Sequence, residues 1–326
     1  MTATPTPSTP TSATPDAVTI CECFARDGLQ HETAEVPTAT KVALIDAMTD
    51  AGFPRIEVTS YSHPARVPVF GDAARVLAGI HRRPGIGYKA TCPNERAVRR
   101  ALDDLDAGHG ATEISVLASA TEAHTERNLR TDRAGQWARI EAMARLAGDR
   151  FRIVGVLSVA LGCPFEGPVD PGRVVADAAR FAEAGATLLT VGDTVGTGTP
   201  RTVRHLFRRL AREVPQIVPV AHFHDARGTA LANCVAALEA GCTHFDSAIG
   251  GVGGHPAQIS YGRGRTGNVA TEDLVALLEA EGVATGIDLD AMMRLSQRCE
   301  DALGRQLDSK VARAGLTPND DERRPT

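Results

Sequence analysis

Two histidines separated by one residue are the clearest chemical signal in the sequence. His222 and His224 close the apolar run IVPVAHFH. Because side chains alternate across a strand, both imidazoles would lie on the same face. An H-x-H pair alone is more often a pair of hydrogen-bonded core histidines than a metal site. Asp27, which follows another apolar run, supplies a carboxylate at a corresponding strand end, and this position favours metal binding.

The donor types indicate which metal such a site would prefer. One carboxylate, two imidazoles and an amide or water oxygen form a mixed oxygen and nitrogen set. This set suits Mg2+ or Mn2+, with positions left open for two oxygens of a substrate. Zn2+ bound by two histidines and an aspartate is the less favoured alternative.

Three further charged residues stand at or near strand ends. Arg26 precedes Asp27 and would point to the other side of the strand, as a surface salt bridge, unless the strand has already ended. Beside a metal, its guanidinium could instead stabilise an enolate oxygen. Glu57 and Asp193 are either structural partners for this buried charge or general bases.

Eight short apolar runs, each followed by a helical pattern, must position these residues. Amphipathic stretches such as 40–52 and 171–185 end in glycine, which favours helix termination. Strands alternating with helices predict a parallel sheet, and eight units fit a closed (β/α)8 TIM barrel. The first strand lacks a following G-x-G-x-x-G, which disfavours an open dinucleotide-binding sheet. The predicted strands are 18–24, 55–61, 86–92, 113–119, 151–159, 187–193, 217–224 and 243–249.

Composition excludes several classes of protein. The net charge is -5 and no long basic run occurs, so no nucleic acid partner is expected. No stretch approaches the roughly 18 to 20 apolar residues of a membrane span, so no membrane association is expected. The seven cysteines are irregularly spaced, which indicates reduced thiols and a cytoplasmic location. Cys21 and Cys23 are interpreted as small buried residues rather than zinc ligands.

The chain ends and one loop stand apart from the repeating pattern. Residues 1–16 are rich in Thr and Pro and predict a disordered tail, as do residues 317–326. The folded barrel is expected at 17–316, with a short C-terminal helical extension. The loop at 250–268 contains seven glycines and is predicted to be a lid over the site.

Several motifs together resemble one family, the 3-hydroxy-3-methylglutaryl-CoA lyases of the DRE-TIM metallolyase superfamily. The similarity runs from about Ile20 to Ala314. The motifs are RDGLQ at 26–30, IEVTSYSHPARVP at 56–68, SVALGCPFEG at 158–167, GDTVGTGTP at 192–200, HFHDARGTALAN at 222–233, GNVATEDLV at 267–275 and SKVA at 309–312.

The resemblance implies a set of roles for these residues. Asp27, His222, His224 and Asn268 would bind the metal, and Arg26 would polarise the thioester or enolate oxygen. Glu57 and Asp193 would lie at the site, with Asp193 handling the proton of the substrate hydroxyl. The implied reaction is a retro-Claisen cleavage of a 3-hydroxyacyl-CoA to acetyl-CoA and a keto acid, acetoacetate for 3-hydroxy-3-methylglutaryl-CoA. A small-molecule acyl-CoA substrate and a homodimer are also implied.

The sequence departs from the family pattern at two places. His255 occupies the loop position where the family has a cysteine, and it is a candidate proton donor together with Tyr261. Thr33, Gly304 and Gln306 stand where typical members contact coenzyme A, although Arg305 lies between the last two.

A related aldolase or Claisen-type metallolyase, acting on another CoA ester or on a non-CoA hydroxy or oxo acid, is therefore an alternative. A barrel that has lost catalysis and serves as a binding protein is a third.

Overall fold

Eight parallel strands close into a barrel in chain order, which confirms the predicted (β/α)8 fold. The computed structural model describes residues 14–254 and 267–316. Every strand falls inside its predicted run, and the first strand pairs with the last. The strands are β1 (Thr19–Glu22), β2 (Arg55–Ser60), β3 (Gly87–Thr91), β4 (Glu113–Ser119), β5 (Arg152–Ser158), β6 (Leu188–Asp193), β7 (Val218–Phe223) and β8 (His244–Ser247).

Helices surround the barrel and confirm the two helical predictions, since 40–52 and 171–185 fall largely within α1 and α6. Asp170 caps α6 by accepting a hydrogen bond from Gly172 N, and Pro171 occupies its first turn. The predicted C-terminal extension is also helical. The helices are α1 (Thr38–Asp50), α2 (Ala73–Gly79), α3 (Glu95–Asp106), α4 (Glu122–Leu129), α5 (Arg133–Ala147), α6 (Pro171–Glu183), α7 (Pro200–Glu213), α8 (Ala230–Leu238), α9 (Thr271–Ala280), α10 (Leu289–Leu303) and α11 (Val311–Ala314).

The strands are buried on both faces, and the two faces differ in chemistry. Outward side chains such as Phe223 and Phe245 pack under the helices and are fully buried. Inward side chains are largely polar, and a small apolar cluster of Val154, Leu188 and Val220 fills one layer. The strands of a parallel sheet that is covered on both faces have nearly continuous apolar sequences. The inward-facing charged residues therefore occur as single charges within apolar runs.

An ion-pair network fills the barrel below its mouth. Arg55 Nη2 donates to Glu113 Oε2 at 2.8 Å, and Arg152 Nη1 donates to the other oxygen of the same carboxylate at 3.2 Å. Arg55 Nη1 also lies 4.0 Å from Asp246 Oδ1. These pairs neutralise charges that would otherwise be costly to bury.

The predicted disordered tails lie outside the described residues, apart from the last few positions of the N-terminal one. Among the described residues, Ala17 pairs with Ala284 through a β-bridge, and Ala284 N donates to Asp16 O at 2.9 Å. No helix in the described ranges is long and apolar enough to cross a membrane.

Candidate active site

A short helical turn after β1 brings Arg26 and Asp27 to the same side. β1 ends at Glu22, and Phe24–Gly28 forms a tight turn. The strand has therefore ended before Arg26, and the strand alternation that would have separated the two side chains no longer applies. Arg26 Nη1 lies 3.1 Å from Asp27 Oδ1, and both residues line the cavity at the mouth of the barrel.

Asp27, His222 and His224 converge there, with one candidate ligand atom from each lying within 4.8 Å of the others. The partners of the two rings fix their tautomers. His224 Nδ1 lies 2.8 Å from Thr194 O, which can only accept, so this nitrogen carries the hydrogen. His222 Nδ1 lies 3.3 Å from the Asp246 carboxylate and is likewise the donor.

As a consequence, the Nε2 atoms of the two histidines face each other. The Nε2 atoms are 3.2 Å apart, and in these tautomers each presents a lone pair to the other. Two lone pairs at this distance repel, and a cation bound by both nitrogens would convert the repulsion into attraction. Outer partners that hold Nδ1–H groups in this way are typical of metal-binding histidines.

Asn268 completes the group from the far end of the glycine-rich loop. Its Nδ2 donates to Asp27 Oδ2 at 2.6 Å and to Val252 O at 2.8 Å. Its Oδ1 is buried and has no hydrogen-bond partner among the described residues. A buried amide oxygen without a donor is unusual, and it fits a position beside a cation. The four residues thus offer oxygen and nitrogen donors suited to Mg2+ or Mn2+.

The electrostatics favour an ionised carboxylate in this group. Burial raises the pKa of Asp27, but the Arg26 guanidinium and the neighbouring imidazoles outweigh burial, and the net pKa lies well below its ordinary value. Asp27 is therefore negatively charged at neutral pH and ready to bind a cation.

Glu57 lies under Arg26 and holds its guanidinium. Arg26 Nε is 2.8 Å from Glu57 Oε1, and Thr91 Oγ1 donates to the same oxygen at 2.9 Å. Burial raises the pKa of Glu57, but Arg26 and Lys89 outweigh this effect and the net pKa is lowered. The contacts fit the structural alternative for Glu57, and its catalytic role stays a prediction.

Asp193 faces away from the converging histidines. Gly192 pairs with His222 in the sheet, so the next residue, Asp193, points outward to the helical layer. Its two oxygens accept hydrogen bonds from Thr197 N and Gly198 N, both at 2.9 Å. Burial raises the pKa of this carboxyl group. The structure shows Asp193 bracing the loop before α7, and its role in proton transfer stays a prediction.

Two residues of the site were missed in the sequence, Asp246 and Lys89. Asp246 orients His222, and both residues line the cavity. Burial raises the pKa of Asp246, but Lys89 and His222 outweigh it, so the net pKa is well below the ordinary value. Both residues sit at inward positions within apolar runs, and a single charge in such a run was the available signal.

The cavity has a volume of about 220 Å³ and opens between the loops that follow β2 and β4. Arg66, Arg127 and Arg130 stand on its rim. The Arg127 guanidinium stacks on Phe165 at 3.9 Å, and Arg130 adopts a left-handed backbone conformation with φ 54°. This conformation is uncommon for residues other than glycine and is often found at functional sites.

The cysteines near the site are core residues, in line with their interpretation from the sequence. Cys21, Cys23 and Asp246 lie close enough to be a candidate metal-binding group. However, Lys89 and Arg55 already approach the Asp246 carboxylate. The Cys21 contact and burial raise the pKa of the Cys23 thiol well above its ordinary value, so a thiolate ligand is disfavoured.

The glycine-rich loop is described only at its base. Gly253 has φ +100°, and a Cβ there would lie 2.5 Å from Asn268 Nδ2 and 2.7 Å from Asp27 Oδ2. Only glycine therefore fits against these two side chains. His255, Tyr261 and the body of the predicted lid lie outside the described residues.

Gly304 and Gln306, two of the three positions at which the sequence departs from the family's coenzyme A contacts, follow α10. Arg305, between Gly304 and Gln306, forms an ion pair with Glu32, with Nη2 2.5 Å from Oε1. This arginine is therefore already engaged by a neighbouring carboxylate.

A closed parallel barrel with polar side chains gathered at the carboxyl ends of its strands is the architecture of TIM-barrel enzymes. A family model described as HMGL-like matches residues 17–298. The chain therefore belongs to the HMGL-like family of the DRE-TIM superfamily, and it is a carbon–carbon lyase.

Curated relatives and solved structures agree with this assignment. The mitochondrial hydroxymethylglutaryl-CoA lyase of Rattus norvegicus is 38% identical over 92% of this chain and 90% of its own length. The 3-hydroxy-3-isohexenylglutaryl-CoA/hydroxymethylglutaryl-CoA lyase of Pseudomonas aeruginosa is 38% identical over 93% and 98%. An HMG-CoA lyase from Acinetobacter baumannii, solved with coenzyme A and 3-methylmalate, is 34% identical with a TM-score of 0.85, over 92% of this chain and 95% of that one.

Proposed function

We propose that this protein cleaves 3-hydroxy-3-methylglutaryl-CoA to acetyl-CoA and acetoacetate in a reaction that requires Mg2+ or Mn2+, with Zn2+ a weaker fit. The opposed Nε2 atoms of His222 and His224, 3.2 Å apart beside Asp27, carry the metal requirement. The substrate is proposed from the activities for which the relatives are named. Asp27, His222, His224 and Asn268 would hold the ion.

The residues of this chain supply the rest of the chemistry. A bound divalent ion would act as a Lewis acid and lower the pKa of the substrate hydroxyl group. Asp246 and Thr194 orient the two imidazoles toward the ion. Arg26, held by Glu57 and Asp27, places its positive charge where the enolate oxygen of the leaving acetyl thioester develops negative charge.

Two proton transfers complete the proposal. Asp193 is retained from the family resemblance as the acceptor of the hydroxyl proton. This role requires its side chain, which points outward to the helical layer, to leave the N–H groups of Thr197 and Gly198 and turn toward the cavity. His255 is the proposed donor that protonates the enolate carbon, since imidazole titrates near neutral pH.

A second candidate function follows from the changed coenzyme A positions. Thr33, Gly304 and Gln306 bring no cation, and Arg305 is paired with Glu32. A related aldolase or Claisen-type reaction on another CoA ester, or on a non-CoA hydroxy or oxo acid, would need fewer phosphate contacts there. A cytoplasmic location is part of the proposal because of the irregularly spaced cysteines, and a homodimer because of the family resemblance.

Product analysis by mass spectrometry tests the proposal. Purified protein with Mg2+ or Mn2+ should release acetyl-CoA and acetoacetate from 3-hydroxy-3-methylglutaryl-CoA, and EDTA should stop the release. Metal-loaded protein that yields no acetyl-CoA would reject this substrate. Pyruvate, oxaloacetate or glyoxylate released from a panel of hydroxy acids would then favour the second candidate.

The loop histidine has its own test. His255→Cys restores the residue that the family carries at this position. Acetyl-CoA release by H255C at or above the wild-type rate would support proton donation from this position, whereas a rate unaffected by H255A would contradict it.

A further inference from the structure

The floor of the cavity holds a lysine with no assigned role. Lys89 projects inward from β3, is 1% exposed and lines the cavity. Its Nζ lies 3.7 Å from Glu57 Oε1 and 3.6 Å from Asp246 Oδ2. These distances are longer than hydrogen bonds, so the two carboxylates balance the charge of Lys89 without accepting its hydrogens.

Both carboxylate oxygens already accept from closer donors. Glu57 Oε1 is approached by Arg26 Nε at 2.8 Å and by Thr91 Oγ1 at 2.9 Å. Asp246 Oδ2 accepts from Thr190 Oγ1 at 3.2 Å and from His222 Nδ1 at 3.3 Å. At 3.7 and 3.6 Å, neither carboxylate is within hydrogen-bond distance of Lys89 Nζ.

An ammonium has three N–H donors, and buried donors without acceptors are costly. The remaining direction for these donors is the cavity itself. Leu117 and Val156 contribute apolar walls there, and an ionic contact beside apolar walls is stronger than one in open water. The floor of the cavity is thus built to receive an anion.

The position of Lys89 indicates which part of a substrate it would meet. Asp246 Oδ2 lies between Lys89 Nζ and His222 Nδ1, so the ammonium is one carboxylate away from the group of candidate metal ligands. A cavity of about 220 Å³ has room for a small acyl group. Consider an acyl group whose hydroxyl oxygen lies at His222 and His224. A carboxylate carbon two bonds away from its hydroxyl-bearing carbon would then lie near Lys89.

We propose that Lys89 forms the binding subsite for the free carboxylate of the acyl group, so that the enzyme selects 3-hydroxy diacid thioesters over monoacid ones. This inference rests on the proposed function, because it assumes that the acyl group binds in this cavity with its hydroxyl oxygen at the candidate metal ligands. It assigns a specificity role to a residue outside the candidate metal ligands and separate from Arg26.

Binding of free acids to the full-length, Mg2+-loaded protein tests the subsite without turnover. Isothermal titration calorimetry would compare 3-hydroxy-3-methylglutarate with 3-hydroxy-3-methylbutyrate, which lacks the second carboxylate. Wild-type protein should bind the diacid at least about tenfold more tightly, as expected for a hydrogen bond to a charged group. K89M should lose this preference and retain its affinity for the monoacid, whereas K89R should keep the preference.

Lys41 provides a matched control. It is another buried lysine paired with a carboxylate, since its Nζ lies 2.9 Å from Asp72 Oδ1, and it lies on α1 outside the barrel. K41M should lose stability and keep the preference for the diacid. If K89M does not fold, K89Q, which keeps a polar side chain but carries no charge, takes its place.

Two outcomes would overturn the inference: wild-type protein that binds both acids equally, or a folded K89M or K89Q that still prefers the diacid. Failure of the proposed function gives a different result, because it would appear as absence of acetyl-CoA release by the wild type. The binding comparison does not depend on that release.

Discussion

At the scale of single residues, Arg26 shows how a cation is fixed where negative charge is to develop. Its Nε faces Glu57 and its Nη1 faces Asp27. A guanidinium meets two carboxylates from two directions at once because its donors are spread over a rigid plane. A lysine has a single nitrogen on a flexible stem and cannot reproduce both contacts in the same orientation.

R26K should therefore reduce kcat by about 100-fold or more, the magnitude that follows loss of one preorganised group at an oxyanion. Mn2+ affinity should change little, since the donor atoms of Asp27, His222 and His224 remain. The measurement is acetyl-CoA release together with Mn2+ binding. R133K is the control, because Arg133 pairs with Asp177 at 2.6 Å outside the barrel. Wild-type kcat in R26K would refute the role assigned to Arg26.

At the scale of elements, the base of the glycine-rich loop connects β7, β8 and the turn after β1. Asp225 N donates to Gly267 O, and Val269 N donates to Phe223 O. Residues 267–269 are therefore hydrogen-bonded to the end of β7. These backbone contacts deliver Asn268 to Asp27, and Gly253 packs against both side chains.

G253A should weaken Mn2+ binding by about 10- to 100-fold, the range seen when residues supporting metal ligands are changed. The added Cβ would collide with Asn268 Nδ2 and Asp27 Oδ2. G304A is a matched control, because Gly304 also has positive φ, at +63°, but a Cβ there meets nothing within 4 Å. Equal losses of Mn2+ affinity in both variants would show that backbone strain, rather than contact with the site, is the cause.

A second element, α4, carries a buried neutral histidine. His124 is fully buried and its Nδ1 lies 2.7 Å from Ser119 Oγ. Burial lowers its pKa from 6.5 to about 4. A folded-state pKa below the unfolded value means that the unfolded chain binds the proton more readily. The contribution to stability is therefore full above pH 6.5 and is lost as the pH falls toward 4.

Between pH 7 and pH 5, the wild type should lose about 2 kcal/mol of unfolding free energy through this one residue, by the linkage of pKa to stability. H124Q cannot titrate and should lose correspondingly less over the same interval. Urea denaturation of both proteins at the two pH values measures the difference. Identical pH dependence in the two proteins would contradict a buried neutral His124.

At the scale of the whole molecule, the repeating pattern predicted the barrel because both faces of a parallel strand are buried and its helices are amphipathic. The convergence of Asp27, His222 and His224 was also predictable, since the carboxyl ends of parallel strands meet at one end of a barrel, whereas Asn268 was expected there only from the family resemblance. The metal that these residues bind stays a prediction.

Other features depended on details that no pattern contains. The direction of Asp193 follows from its register with Phe223, and a shift of one residue would have reversed it. Arg26 faces the site because β1 ends early and a tight turn follows. Asp246 and Lys89 lie within apolar runs. Whether such a charged side chain lines the cavity or packs against the helices depends only on whether it points into the barrel or out of it.

A Mn2+ titration of the metal-stripped protein tests most directly whether a cation binds between His222 and His224. Electron paramagnetic resonance of free Mn2+ should show one ion bound per chain in the wild type and none at the same concentrations in H222A/H224A. At about 100 times its dissociation constant, Mn2+ should also raise the unfolding free energy of the wild type by about 2.7 kcal/mol. Equal Mn2+ binding by the folded double variant, or no binding by the wild type, would contradict the proposed metal site.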